Sequence, residues 1–215
     1  MTLAQILALL GLNLHAPTLG DAIDPTVPVS VLSASVAVST LADSPLRIAP
    51  EELGGAEVTF YNVNTRETEE FFLRFDGVLS AEDEARMKHL FRCKRTGRER
   101  KPDRGLVQIL ARLAERYPDH VFEVVSAHRA RRSDRTSQHY VGHAIDLRIR
   151  GVKIREVRDY VWQTFTQTMN IGLGHYIREG FIHIDHRPDQ ESIAWVQTRK
   201  GRPYRYHPRW ARPNS

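Results

Sequence analysis

Residues 137–146 read Ser-Gln-His-Tyr-Val-Gly-His-Ala-Ile-Asp, a polar segment with a glycine in its middle that runs into an alternating one. Gly142 permits a tight turn, so the chain can double back and carry the His139 side chain toward the segment after the turn. That segment alternates: in residues 144–149 (AIDLRI), Ile145, Leu147 and Ile149 fall on one face and Ala144, Asp146 and Arg148 on the other. A turn leading into a half-buried strand therefore brings one imidazole and one carboxylate together.

A second motif lies downstream. Residues 181–186 (FIHIDH) alternate so that Phe181, His183 and Asp185 share a face while Ile182 and Ile184 enter the core. Seven of the ten histidines lie between His120 and His186, which makes a metal worth considering. Two imidazoles and one carboxylate, from His139, His183 and Asp146, leave the fourth position of a zinc ion for water, the arrangement of a catalytic rather than a structural site. Such an ion lowers the pKa of its water toward ~7 and polarises a carbonyl. Asp185, beside the ligands but not needed as one, stands where a general base would act. The single cysteine, Cys93, excludes a thiolate cage and an intrachain disulfide, so any metal is held by His and carboxylate.

Upstream, two aromatic and β-branched runs at 58–63 and 69–75 flank a polar Asn64-Thr65-Arg66 stretch and predict a hairpin. Ser80 precedes Asp83 by three residues, a capping-box-like start for a helix to about Phe91. Pro102 and Asp103 open a second helix, with Leu106, Ile109, Leu110, Leu113 and Tyr117 at helical spacing. Residues 121–126 (VFEVVS) are strand-like, and Ile154, Val157, Val161 and Phe165 mark a third helix. Gly172-Leu173-Gly174 leads into short strands around 175–177 and 181–185. Mixed helices and short hairpin-connected strands predict an α+β fold, a small antiparallel sheet with helices packed on one face.

Residues 1–50 read as an N-terminal arm or linker, with the domain over 51–215. Residues 17–50 are rich in Ala, Ser, Thr, Val and Pro. The apolar run at 3–11 is well short of the ~20 residues of a membrane span, and no basic residue precedes it as in a secretory signal. It is expected to be at most a remnant of an export signal. The formal charge of +5 suggests an anionic partner, which nucleic acid, an acidic membrane surface or a carboxylate-rich wall polymer would satisfy.

The stretch Ser137, His139, Gly142, Ala144, Asp146 resembles the Ser-x-His-x-x-Gly-x-Ala-x-Asp signature of the LAS group of zinc peptidases. That group takes in lysostaphin-type enzymes, D-alanyl-D-alanine carboxypeptidases and the hedgehog fold. Within it the chain most resembles YcbK-type murein endopeptidases, through the 60–80 hairpin region, the basic loop and helix at 92–110, Gly172 to Tyr176, Phe181 to Asp185, and Trp195. The resemblance implies zinc on His139, Asp146 and His183, Asp185 as base, and Arg129 contacting a substrate carboxylate with His128 beside it. Where that family reads Ser-Gly-Tyr-Arg, this chain has Ser126-Ala127-His128-Arg129. An arginine suits the task independently, since a guanidinium pairs bidentately with carboxylate at any working pH.

The function expected is zinc-dependent hydrolysis of peptide bonds in peptidoglycan stem peptides or crosslinks, as endopeptidase or carboxypeptidase. Its setting would be the cell envelope, periplasmic or exported, and its state a monomer. A non-catalytic wall-binding or signalling domain on the same fold is the alternative. A basic nucleic-acid-binding metalloprotein fits less well, because aromatic residues are not interleaved with the arginines to stack bases. No nucleic-acid partner is therefore expected.

Overall fold

Eight strands form one sheet in the order β2-β1-β3-β4-β6-β5-β7-β8. The computed structural model describes residues 54–130, 137–198 and 200–212. The N-terminal arm expected over 1–50 lies outside the described residues, as do Arg131, Arg132 and Arg135. Strands β1 (Gly55–Asn62) and β2 (Thr68–Arg74) make the expected hairpin. Next come helices α1 (Ala81–Leu90) and α2 (Arg104–Arg116), then β3 (Val121–Ser126). A short helix α3 (Gln138–Val141) precedes β4 (Ala144–Ile149), and α4 (Ile154–Phe165) precedes β5 (Ile171–Tyr176). Strands β6 (Phe181–His186), β7 (Ile193–Gln197) and β8 (Arg205–Tyr206) complete the sheet, with a 3₁₀ turn at Arg209–Ala211.

Local chemistry sets the helix starts as the sequence predicts. Ser80 Oγ accepts from the Asp83 amide at 3.0 Å and Asp103 accepts from the Leu106 amide at 3.1 Å, each answering an amide that a helix N-terminus leaves unpaired. The apolar stripes of α2 and α4, including Leu106, Ile109, Leu110, Leu113, Val157 and Val161, are buried with Phe60, Phe122, Leu147, Ile149, Leu173, Ile182 and Ile184 from the sheet. These alternating strand residues give the sheet a core face under the helices. The residues between them, Asp146 and His183 among them, belong to the other face, where the candidate site lies.

The α+β class holds, but the sheet is larger and less uniform than a small antiparallel one. Pairings β1–β3 and β5–β7 are parallel. Helices α1 and α2 separate the members of the first pair in sequence, and β6 the members of the second. Neither is a hairpin, so neither can be read from adjacent segments.

Candidate metal centre

Strands β4 and β6 pair antiparallel with Asp146 directly opposite His183, and Ser126 of β3 lies opposite Asp146 on its other side. The register alone sets one imidazole against one carboxylate. His139 arrives from α3, whose last turn is closed by Gly142 at φ +86°, a left-handed conformation that disfavours residues with a Cβ. The loop expected from sequence is thus a single helical turn with a glycine cap, and it has the predicted effect.

The three side chains converge. His139 Nε2 lies 3.0 Å from His183 Nδ1 and 3.3 Å from Asp146 Oδ1, and His183 Nδ1 lies 2.9 Å from the same Asp146 oxygen. All three residues are buried. Among the described residues this is the one group of three or more His, Cys, Asp or Glu side chains whose donor atoms fall within 4.8 Å of one another.

Each imidazole is fixed from behind. His139 Nδ1 donates to the Ala127 carbonyl at 2.6 Å, so its lone pair is on Nε2, facing the cluster. On His183 the outer nitrogen is Nε2, 2.8 Å from Asp185 Oδ2, and Nδ1 faces inward. Two imidazoles pinned by acceptors on their outer nitrogens, with a buried carboxylate between the inner ones, is the donor set that a zinc-like cation requires. The residues present fit such an ion.

The charges agree with this reading. Burial pushes the His139 imidazole below its usual range despite nearby Asp146. Burial would lower His183 as well, but its hydrogen bonds to Asp146 and Asp185 prevail and hold it up at about 9. Asp146, despite burial, is held well below the usual carboxylate range by the two histidines. Without a cation the cluster therefore keeps a proton between His183 and its two carboxylates.

Asp185 adjoins the cluster through His183. It is 1% exposed, and its carboxylate also accepts from Arg187 Nε at 2.6 Å and Nη2 at 3.2 Å. It reaches the centre only through the His183 ring. Glycine at 172, directly opposite on β5, leaves room for this pair, since a Cβ there would collide with the Asp185 carboxylate and Arg187.

Arg129 stands at the edge of the centre. Its Nη2 donates to Asp146 Oδ2 and its Nε to Ser126 Oγ at 2.9 Å, while its side chain remains 42% exposed. His128 is buried, with burial pushing its imidazole down, and its ring Nδ1 lies 3.1 Å from the His139 carbonyl, to which the Arg129 amide also donates. His128 thus holds the backbone of His139. His186, one past Asp185, lies with Nδ1 2.6 Å from Asp103 Oδ2, and His143 Nε2 is 3.7 Å from the other Asp103 oxygen. These two histidines tie the sheet to the start of α2 and do not enter the cluster.

Sequence reasoning did not find Arg187, although its spacing from His183 and Asp185 continues their alternation. Nor did it find the Ala127 carbonyl, for which no residue type is a signal. Trp195 of β7 packs its ring 5.1 Å from that of His183 and forms a wall of the site. Residues 53–191, well over half of the chain, match the family described as Peptidase_M15_2: Peptidoglycan L,D-endopeptidase MepK. No curated protein and no solved structure matches the chain.

Proposed function

Because the chain belongs to the Peptidase_M15_2 family of peptidoglycan endopeptidases, we propose that it is a zinc-dependent endopeptidase cutting peptide bonds in peptidoglycan stem peptides or crosslinks. The observation that carries this reading is the buried His139–Asp146–His183 cluster with both imidazoles braced from outside. His139 Nε2, Asp146 Oδ1 and His183 Nδ1 would hold the ion, which when bound supplies Lewis-acid polarisation of a scissile carbonyl and a water of lowered pKa.

The chain's own residues account for the rest. Arg129 presents a partly exposed guanidinium beside the cluster, suited to a substrate carboxylate or to the charge that develops on the carbonyl oxygen. His128 fixes the His139 backbone, and Trp195 closes one side of the site. Sequence assigns Asp185 to proton transfer. Its bonds to His183 and Arg187 favour a positioning task instead, holding the proton on His183 Nε2 so that Nδ1 stays a ligand. The substrate places its action in the cell envelope, and we propose a periplasmic or exported setting. Among the described residues no helix is long and apolar enough to cross a membrane.

The test is elemental analysis of the purified protein together with hydrolysis of isolated crosslinked peptidoglycan, for wild type and His183→Ala. About one zinc per chain and release of cleaved peptides are expected, both lost in the variant. A folded wild type that holds zinc but releases no product would make it a wall-binding domain, and one that holds no metal would sink the hydrolase reading.

A further inference from the structure

Residues His175 and Val196 are cross-strand neighbours on β5 and β7, one position along from Gly174 and Trp195. Alternation therefore turns them to the opposite side of the sheet from His183. There, between α4, strands β5, β7 and β8 and the 3₁₀ turn, lies a cavity of about 460 Å³, within the size range of small-molecule sites. Ile154, Ile177, Val196, Pro208 and Trp210 give it apolar walls, and Arg155, Arg158, Arg205 and His175 line it as well.

The polar groups are unevenly matched. Arg158 pairs with Asp159 through Nη2 at 2.6 Å, and its guanidinium lies 4.7 Å from the centre of the Trp210 ring. Arg155 and Arg205 have no ion-pair partner among the described residues, so the cavity carries more positive charge than those residues neutralise. His175 is only 4% exposed. Its Nδ1 lies 3.2 Å from Arg158 Nη1, and a guanidinium can only donate, so Nδ1 must accept and the ring proton sits on Nε2. Burial, and then Arg158, push this imidazole down to about 4, so it stays neutral at physiological pH. Its Nε2–H has no acceptor among the described residues. That N–H can therefore donate to an acceptor brought in by a ligand.

The roof is fixed in place. Trp162 Nε1 donates to the Ala211 carbonyl at 3.2 Å, its ring meets Trp210 edge-on at 5.9 Å, and the His207 amide donates to the Ala194 carbonyl at 3.0 Å. Val196, Arg205, Pro208 and Trp210, which complete the cavity, lie beyond the part of the chain that matches the family.

We propose that this cavity is a second ligand site, separated from the metal centre by the sheet, which binds a carboxylate carried on an apolar body. The carboxylate accepts from Arg155, Arg205 and His175 Nε2, and the apolar body lies along Ile177, Val196 and the Trp210 ring. Guanidinium forks match carboxylate geometry, and the apolar walls favour a ligand with little polar surface beyond its one anionic end.

The test uses 4-phenylbutyrate as the probe and its uncharged amide as the control, with binding followed by ¹H–¹⁵N NMR on the full chain. Saturable shifts of the Trp210 indole N–H are expected with the acid and not with the amide. The dissociation constant should rise at least tenfold in Arg155→Glu and in Arg205→Glu, two exposed positions whose spectra otherwise stay those of the folded protein. Equal binding of acid and amide, no saturable shift, or an unchanged constant in both variants would overturn the proposal.

Discussion

His139 and His183 each bring one ring nitrogen, Nε2 and Nδ1 respectively, to one point from unlike surroundings. His139 sits on a one-turn helix closed by a glycine, and its outer nitrogen meets a neutral backbone carbonyl. His183 sits in the middle of a paired strand, and its outer nitrogen meets a carboxylate that is itself held by Arg187. The first imidazole is kept neutral, and the second is held protonated between two carboxylates when no cation is present. With an ion on the cluster, the first side would set its place through backbone shape and the second how strongly protons compete for it.

The largest effect that tests this comparison is in pH. His183 is raised to about 9, so below that value its inward nitrogen holds a proton that a cation must displace. His139 and Asp146 are both lowered, so neither adds to the competition near neutrality. Metal affinity should therefore fall as pH falls, by about tenfold per unit and roughly a thousandfold between pH 9 and pH 6. Competition titration with a chromogenic chelator measures it. A flat profile would mean that the two histidines do not differ in protonation, and the contrast would collapse.

Asp185→Asn makes the two braces alike, each a neutral oxygen behind an imidazole. Measured near pH 9, where proton competition is weak, metal affinity should drop by about 10- to 100-fold, as is usual when a partner behind a metal ligand is altered. Turnover at saturating metal should survive. If instead the metal stays bound and turnover collapses, Asp185 carries the proton, as its spacing from His183 suggested.

Legibility in the sequence divides along the same line. Alternation in residues 181–186 correctly set His183 and Asp185 on one face, because a strand's period is a property of neighbouring residues. The turn at Gly142 was legible because few residues other than glycine adopt that conformation readily. The contacts of Asp185 were not, since they depend on the glycine across from it on β5 and on Arg187 turning back toward it. The parallel pairing of β5 with β7 was hidden for the same reason. Contacts between distant segments are decided by packing, and in residues 192–206 only Trp195 stands out in the sequence.

The smallest effect on metal binding should come from the side set by backbone shape. In Gly142→Ala the new Cβ would collide with the Lys101 carbonyl while the residue is held at φ +86°. The fold should lose about 1–3 kcal/mol, since both the added bulk and the left-handed backbone oppose alanine there. Asp146 and His183 are held by strand pairing and do not depend on this turn, so metal affinity should weaken only severalfold through a displaced His139. Thermal unfolding with and without added zinc separates the two consequences: a lowered midpoint is expected in both, with most of the stabilisation by metal retained. A variant that unfolds at the wild-type temperature would show that the turn is not what fixes His139. One that no longer gains stability from metal would show that the strand side cannot hold the ion in place by itself.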